Sequence, residues 1–328
     1  MTVRTFAPYV VVTLALLGLA LLIAKLSPVL LLAFAGIVFA TVIRSMSTPL
    51  ERRLHLNSSI AVAIAALAIA ALFALFAFLF GRQLMAQTAE LWDAVQEAGA
   101  KLQAHVSDSP LLQAAVEQLR GAASPETMGK VAKGTLTAFG AIVDIALVIF
   151  LSIYLALDPG LYRRGLVKLF PKAARARVGG ALEDAGTALH KWLMGQLFAM
   201  VVVGTLTAIG LHLVGVPLAI PLGILVGILD FVPVVGPFIA AIPGVLVAFA
   251  QSPQLALYAA LVYIAMQFIE GHFVLPLAQR WALAMPPALT LLGIVASGLL
   301  FGPLGVLLAM PLIVVTVTLV NKLYVEAL

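Results

Sequence analysis

Long apolar runs separated by short polar segments repeat along most of the chain, at 6–24, 28–43, 60–80, 137–157 and 196–214, and then as larger apolar blocks at 221–250, 255–277 and 288–320. Such runs suit helices crossing a hydrocarbon layer of about 30 Å. The pattern predicts an all-α, polytopic integral membrane protein with about eight hydrophobic segments. The first run has Arg4 ahead of its apolar core, as a secretory leader would. It is longer than a leader's apolar region and lacks a clear small-residue cleavage site, so it reads as the first transmembrane helix.

The sixth and eighth segments are interrupted. In Asp230-Phe231-Val232-Pro233-Val234-Val235-Gly236-Pro237, two prolines and a glycine break a continuous apolar run, and Phe301-Gly302-Pro303-Leu304-Gly305 repeats the pattern inside 288–320. Proline removes an intrahelical hydrogen bond and glycine permits sharp turns. Both segments are therefore expected to be discontinuous or re-entrant, with Pro233, Gly236, Pro237, Pro276, Gly302, Pro303, Gly305 and Pro311 as hinges or helix breaks. Unpaired backbone at membrane depth persists only when buried in protein or lining a wet cavity. Paired breaks of this kind are where secondary transporters hold substrate and ions. The alternative is a pair of proline kinks in helices that span fully. Hairpins put Ser252 outside and Arg280 in the cytoplasm, and full spans reverse both.

Charge orients the segments. Arg44, Arg52 and Arg53 stand against Glu51 in one loop, and Arg163, Arg164, Lys168, Lys172, Arg175, Arg177 and Lys191 dominate another. Both belong in the cytoplasm under the positive-inside rule, which also places the N- and C-termini there. The loop between them is nearly balanced in charge and should face outward. Within it Leu84, Leu91, Val95 and Leu102 recur at helical spacing, and Leu111, Leu112, Ala115, Val116 and Leu119 form a second stripe after Ser109-Pro110. The expected organisation is three transmembrane helices in 1–80, a small helical extracytoplasmic domain in 81–136 and a fourth transmembrane helix in 137–157. A basic cytoplasmic segment at 158–195 and a transport core at 196–328 complete it.

Composition supports a membrane protein and narrows the chemistry. Hydrophobic residues make up 63% and charged residues 10%, against roughly 45–50% and 25% in soluble domains. The net charge of +5 resides in loops between spans, where orientation explains it better than nucleic acid does. There is no cysteine, hence no disulfide or thiolate metal site. P-loop, HExxH, GxSxG and dinucleotide fingerprints are missing, so no enzyme activity, ATP-driven cycle or cofactor is expected.

One acid stands out. Glu270 lies within 255–277, and Tyr263, Gln267 and Glu270 at i, i+4 and i+7 share a helix face. An ionised side chain in a bilayer costs a few kcal/mol even on lenient scales, so it normally faces a wet path, a partner or a coupling ion. Tyr263 and Gln267 can hydrogen-bond a polar solute, while Glu270 can exchange a proton or hold a transient sodium ion; no other metal site is expected. Asp230, just before the first break, is the second acidic candidate. The competing reading is a packing network in which Glu270 is protonated or paired with Arg280. Gly223 and Gly227 form a small-xxx-small pair suited to close helix packing.

Taken in order, Gly195-Gln196, Asp230 to Pro237, Ala241-Ile242-Pro243, Gln267-Phe268-Ile269-Glu270 with Pro276, Leu300 to Gly305 and Ala309-Met310-Pro311 resemble the motif set of the autoinducer-2 exporter family of bacterial membrane proteins. The motifs are specific from about Lys191 onward, and the architecture agrees over nearly the whole chain. The resemblance implies an ion-gradient-coupled secondary transporter and a homo-oligomer. It would export a small polar solute such as autoinducer-2, or exchange sodium for protons. Asp230 stands where glutamate is usual in the family, His272 where asparagine is common, and Leu193-Met194 where a basic residue is often found. Its partners would be the solute, a proton or sodium and the lipid bilayer, with no nucleic acid. A passive channel and a non-transporting membrane scaffold are the alternatives.

Overall fold

A computed structural model describes residues 3–71, 74, 78, 135–233, 235–279 and 286–327. The outer domain expected at 81–136 lies outside these residues apart from its last two positions, as does Arg280. All regular structure among the described residues is helical.

The first helix, α1 (Val3–Leu54), is continuous for 52 residues, so the two runs predicted at 6–24 and 28–43 are one rod. Its length is about 78 Å at a rise of about 1.5 Å per residue. The segment Lys25-Leu26-Ser27-Pro28 offers no glycine for a reversal, and the fixed φ of proline suits a helix. The turn that would return the N-terminus to the side of Arg52 and Arg53 is thus absent, and the count of eight separate segments is corrected at this point.

A left-handed residue, His55 (φ 51°), starts the reversal into α2 (Ser58–Ala71), which packs Val62 and Ala65 against Ala40 and Ile43 of α1. Next comes α3 (Thr135–Leu157). It runs parallel to α1, with Gly36 against Leu151 and Ala40 and Ile43 clustered with Ala156. The basic end of α1 and the end of α3 that leads into the basic segment therefore share one end of the bundle. Asp158 then caps α4 (Pro159–Lys168) by accepting from Leu161 N, and α4 leaves at 90° to the end of α3.

The central element is α5 (Arg175–Leu213), 39 residues long. The boundary expected between the basic segment and the core, at 195/196, falls inside this unbroken helix. Beyond a turn with Gly215 at φ 83° and Leu218 at φ 61°, α6 (Ala219–Leu229) returns antiparallel along α5. Glycines permit the close approach: a methyl group on Gly223 would lie 2.5 Å from the Gly204 carbonyl oxygen, and one on Gly227 would lie 2.7 Å from that of Met200. The small-xxx-small pair thus has a glycine partner on the facing helix.

The chain turns through 230–233 and folds back as α7 (Val235–Gln251). The turn is tight enough that a methyl group on Gly236 would fall 1.7 Å from the Leu229 carbonyl oxygen. Pro237 sits in the first turn of α7, where its missing N–H is no loss. Ser252 caps α8 (Pro253–Ile269), accepting from Leu255 N at 3.1 Å. This helix runs back beside α7 and α5, with Tyr263 over Gly244 and Val262 against Gly210. A π-helical turn, Glu270–Val274, follows before α9 (Leu275–Gln279). Pro276 explains it: the ring cannot accept the usual spacing to the carbonyl four residues back, and a wider turn relieves the clash. The Leu275 N–H accordingly bonds the Glu270 carbonyl, five residues earlier.

The last element, α10 (Pro287–Leu323), is broken at Gly302, whose φ 68° and ψ −153° are not helical. By length and apolarity alone 288–323 would count as a single crossing. Gly293 nevertheless touches Ile313, Gly298 touches Val306, and Gly305 lies against the Ser297 carbonyl. Residues 20 apart on a straight helix would be about 30 Å apart, so the two arms fold back on each other. Pro303 opens the second arm. Pro311, expected as a hinge, lies inside the continuous second arm, since its φ is compatible with helix and only Gly302 departs from helical geometry.

The second arm of α10 packs Leu308 and Val314 against Leu189 and Leu193 of α5 and Leu31, Ala35 and Val38 of α1. Its end is tied to the start of α5: Lys322 pairs with Asp184 at 3.4 Å, and Arg177 donates to the Leu323 carbonyl.

Candidate functional site

The two fold-backs meet at one level of α5. Phe231, in the first turn, lies edge-on to Trp192 with ring centroids 6.0 Å apart, and Gln196 Nε2 donates to the Asp230 carbonyl at 2.7 Å. Phe301 and Leu304, flanking the second break, pack into the cluster that holds Trp192 and Leu193. The end of α6 and the start of the second α10 arm therefore approach each other along α5, near 192–196.

Asp230 ends α6 and is buried, 1% exposed, and neither carboxylate oxygen accepts from an N–H or hydroxyl among the described residues. Its near neighbour is Glu270, at the first position of the π-turn and also buried. Gln267 Nε2 donates to Glu270 Oε2 at 3.1 Å. Tyr263 shares their face and is buried over Gly244, with its hydroxyl unpartnered. Of the sequence-predicted residues, Asp230, Tyr263 and Glu270 are buried and Gln267 is half-buried beside Glu270. Among the described residues no lysine, arginine or histidine forms an ion pair with Asp230 or Glu270.

Two buried carboxyl groups without a cationic partner are costly as two anions, because desolvated charge needs a compensating charge or proton. The arrangement suits binding a proton or a small cation between acids that come from two different helices. Gln267 can orient Glu270, Asp230 and Glu270 are close enough to share a proton, and the unpaired hydroxyl of Tyr263 is free for a ligand. No cluster of three or more histidine, aspartate or glutamate side chains occurs among the described residues.

Sequence reasoning noted Gln196 only as part of a motif, and the structure makes it the clamp that holds the first turn on α5. It missed Thr207, a fully buried α5 hydroxyl without a partner. A threonine in an apolar helix gives no signal of its own, since it usually bonds the preceding turn. His272 lies aside: it is exposed, stacks on Phe268 with centroids 4.0 Å apart, and places Nδ1 3.0 Å from the Phe268 carbonyl.

The described residues include four helices long and apolar enough to cross a membrane, and a fifth if the bent pair α3–α4 is counted. These features define a multi-pass helical membrane protein with broken helices near buried acids. The chain matches the family model for AI-2E family transporters over residues 10–324 and belongs to that family. It is 34% identical over 177 residues to "Putative transport protein YueF" and 32% identical over 162 residues to "Putative transport protein YrrI", both of Bacillus subtilis. These alignments cover 53% and 49% of this chain and 48% and 46% of the relatives. A Mycobacterium tuberculosis relative, "Putative transport protein MT0215", is 32% identical over 207 residues, 60% of this chain and 54% of the relative. The chain thus spans about half the length of the curated relatives it matches.

Proposed function

We propose that the protein is an ion-gradient-coupled secondary transporter of the bacterial inner membrane. In this reading both fold-backs are re-entrant hairpins: 219–251 enters from outside and 287–323 from the cytoplasm, with their turns meeting at mid-depth on α5. The placement draws on the basic segments, which lie at the end of the bundle where α5 begins, while Ser252 lies at the opposite end. The carboxyl pair Asp230–Glu270 takes a proton or sodium ion, and Tyr263 and Gln267 contact a small polar solute such as autoinducer-2. Sodium–proton exchange uses the same pair with no organic solute. The oligomer implied by the family resemblance belongs to the same proposal.

The observation that carries this reading is the buried Asp230–Glu270 carboxyl pair, without a cationic partner among the described residues, where two broken helices converge. Broken helices are where irregular backbone at membrane depth serves ion and substrate binding. Coupling requires that the ion bind the inward and outward states with different affinity. The turns at 230–233 and Gly302 are the elements able to differ between them.

Glu270→Gln removes the titratable group and keeps the size and the hydrogen-bond contact with Gln267. In proteoliposomes under imposed proton or sodium gradients, this variant is expected to lose gradient-driven flux by about 5–150-fold, the span of a coupling free energy of about 1–3 kcal/mol. Its elution profile should remain that of the native protein. Native gradient dependence in the variant refutes the role of Glu270.

A further inference from the structure

At the basic end of the bundle, α1, α3, α4 and α5 surround a cavity of about 620 Å³, within the range of roughly 300–1,000 Å³ common for small-ligand sites. Its lining includes neither acid of the pair, and the transport reading makes no use of it. Its walls divide by chemistry. Ile37, Ala40 and Leu155 supply apolar surface, whereas Arg44, Arg163, Tyr162 and His190 supply cationic and hydrogen-bonding groups.

Those polar groups retain unused capacity. Arg44 Nη1 donates to Glu51 at 2.8 Å and Ser58 at 2.9 Å, and Arg163 Nη1 donates to Glu183 at 2.8 Å. Among the described residues the remaining guanidinium donors of both arginines, the His190 ring and the Tyr162 hydroxyl have no hydrogen-bond partner. A guanidinium can serve a carboxylate on one edge and a phosphate oxygen on another.

The setting selects the occupant. In α4, set at 90° to α3, exposed Leu161 and Leu166 accompany Arg163, Arg164 and Lys168, the pattern of a helix lying along the membrane boundary. A cavity with cationic groups and apolar walls at that depth matches a phosphate headgroup continued by an acyl chain. A soluble anion would leave the apolar wall without a partner, and a zwitterionic lipid would leave Arg164 and Lys168 of α4, which form no ion pair among the described residues, without one.

We propose that this cavity is a binding site for an anionic phospholipid, with its phosphate among Arg44, Arg163, Tyr162 and His190 and the start of an acyl chain against Ile37 and Leu155. The lipid ties α4 to α1 across the end of the bundle. This assignment depends on membrane placement and not on the transport reading.

The test titrates detergent-purified full-length protein with phosphatidylglycerol, with phosphatidylcholine of the same chains, or with inorganic phosphate, and follows thermal unfolding. Phosphatidylglycerol is expected to raise the midpoint, whereas phosphatidylcholine and phosphate leave it near its starting value. Arg163→Gln should weaken the apparent affinity for phosphatidylglycerol by about fivefold, the worth of one basic residue at an anionic lipid surface. A second measurement uses Ile37→Trp, a substitution at an exposed position, whose fluorescence should be quenched more by brominated phosphatidylglycerol than by brominated phosphatidylcholine. Equal stabilisation by the two lipids, stabilisation by phosphate alone, native affinity in Arg163→Gln, or equal quenching by the two brominated lipids overturns the site.

Discussion

The fold-back at 230–233 and the fold-back at Gly302 reach the same level of α5 by different physics. The first is a turn of several residues whose inner arm, α6, lies almost backbone to backbone on α5 through Gly204, Gly223 and Gly227. It delivers a buried carboxylate to its tip. The second turns at one glycine, and its tip is apolar, with Phe301 and Leu304 packed near Trp192. Its first arm exposes Leu299 and Leu300 while its second arm buries Leu308, Ala309 and Val314. The first turn is thus held by close packing and a polar clamp from Gln196. The second is held by backbone conformation and by side-chain packing of one arm. Polar chemistry at the meeting point comes from the first turn and the π-turn of the neighbouring helix.

That contrast can be broken most severely at Gly236. A methyl group there would overlap the Leu229 carbonyl, and backbone cannot yield as a flexible side chain does. Gly236→Val is expected to cost more than the typical overpacking penalty of about 1–3 kcal/mol and to leave no monodisperse protein by size-exclusion chromatography. A folded Gly236→Val protein would show that the first turn is not held by close packing.

Gly302 has open space around it, so Gly302→Ala meets no clash, only the strain of a backbone region that L-residues rarely adopt. The expected destabilisation is about 1–3 kcal/mol, seen as a lower unfolding midpoint with helical circular dichroism retained. An unchanged midpoint would mean that the second turn does not depend on glycine conformation.

The smallest perturbation is Ser252→Cys, which replaces a helix cap at a cost of about 1 kcal/mol. It adds the first thiol to a chain that has none. Labelling by an impermeant thiol reagent applied from outside is expected if the first fold-back re-enters from that side. Labelling only from the cytoplasm would make 219–251 a complete crossing, and the likeness between the two fold-backs would end there.

Legibility followed the locality of the cause. Both breaks were readable because proline and glycine act on their own backbone: Gly302 reverses a helix by its own φ, and Pro233 removes its own donor. The Tyr263–Gln267–Glu270 face was readable because helical period is local. The continuity of α1 ran against the pattern, because a lysine, a serine and a proline between apolar runs resemble a loop yet fit a helix. The π-turn left only Pro276 as a trace. Pro311 shows that proline alone does not decide: Gly302 has a positive φ, and Pro311 keeps a helical one.

Composition and periodicity were sufficient for a helical membrane protein, for its buried acids and for the positions where its last third is interrupted, since each depends on residues within a few helical turns. Only the tertiary structure brought Asp230 beside Glu270, set Gln196 beneath the first turn, left Thr207 without a partner and made two interruptions into fold-backs that meet. Those are contacts between residues tens of positions apart, and their geometry depends on how closely glycine-lined helices pack.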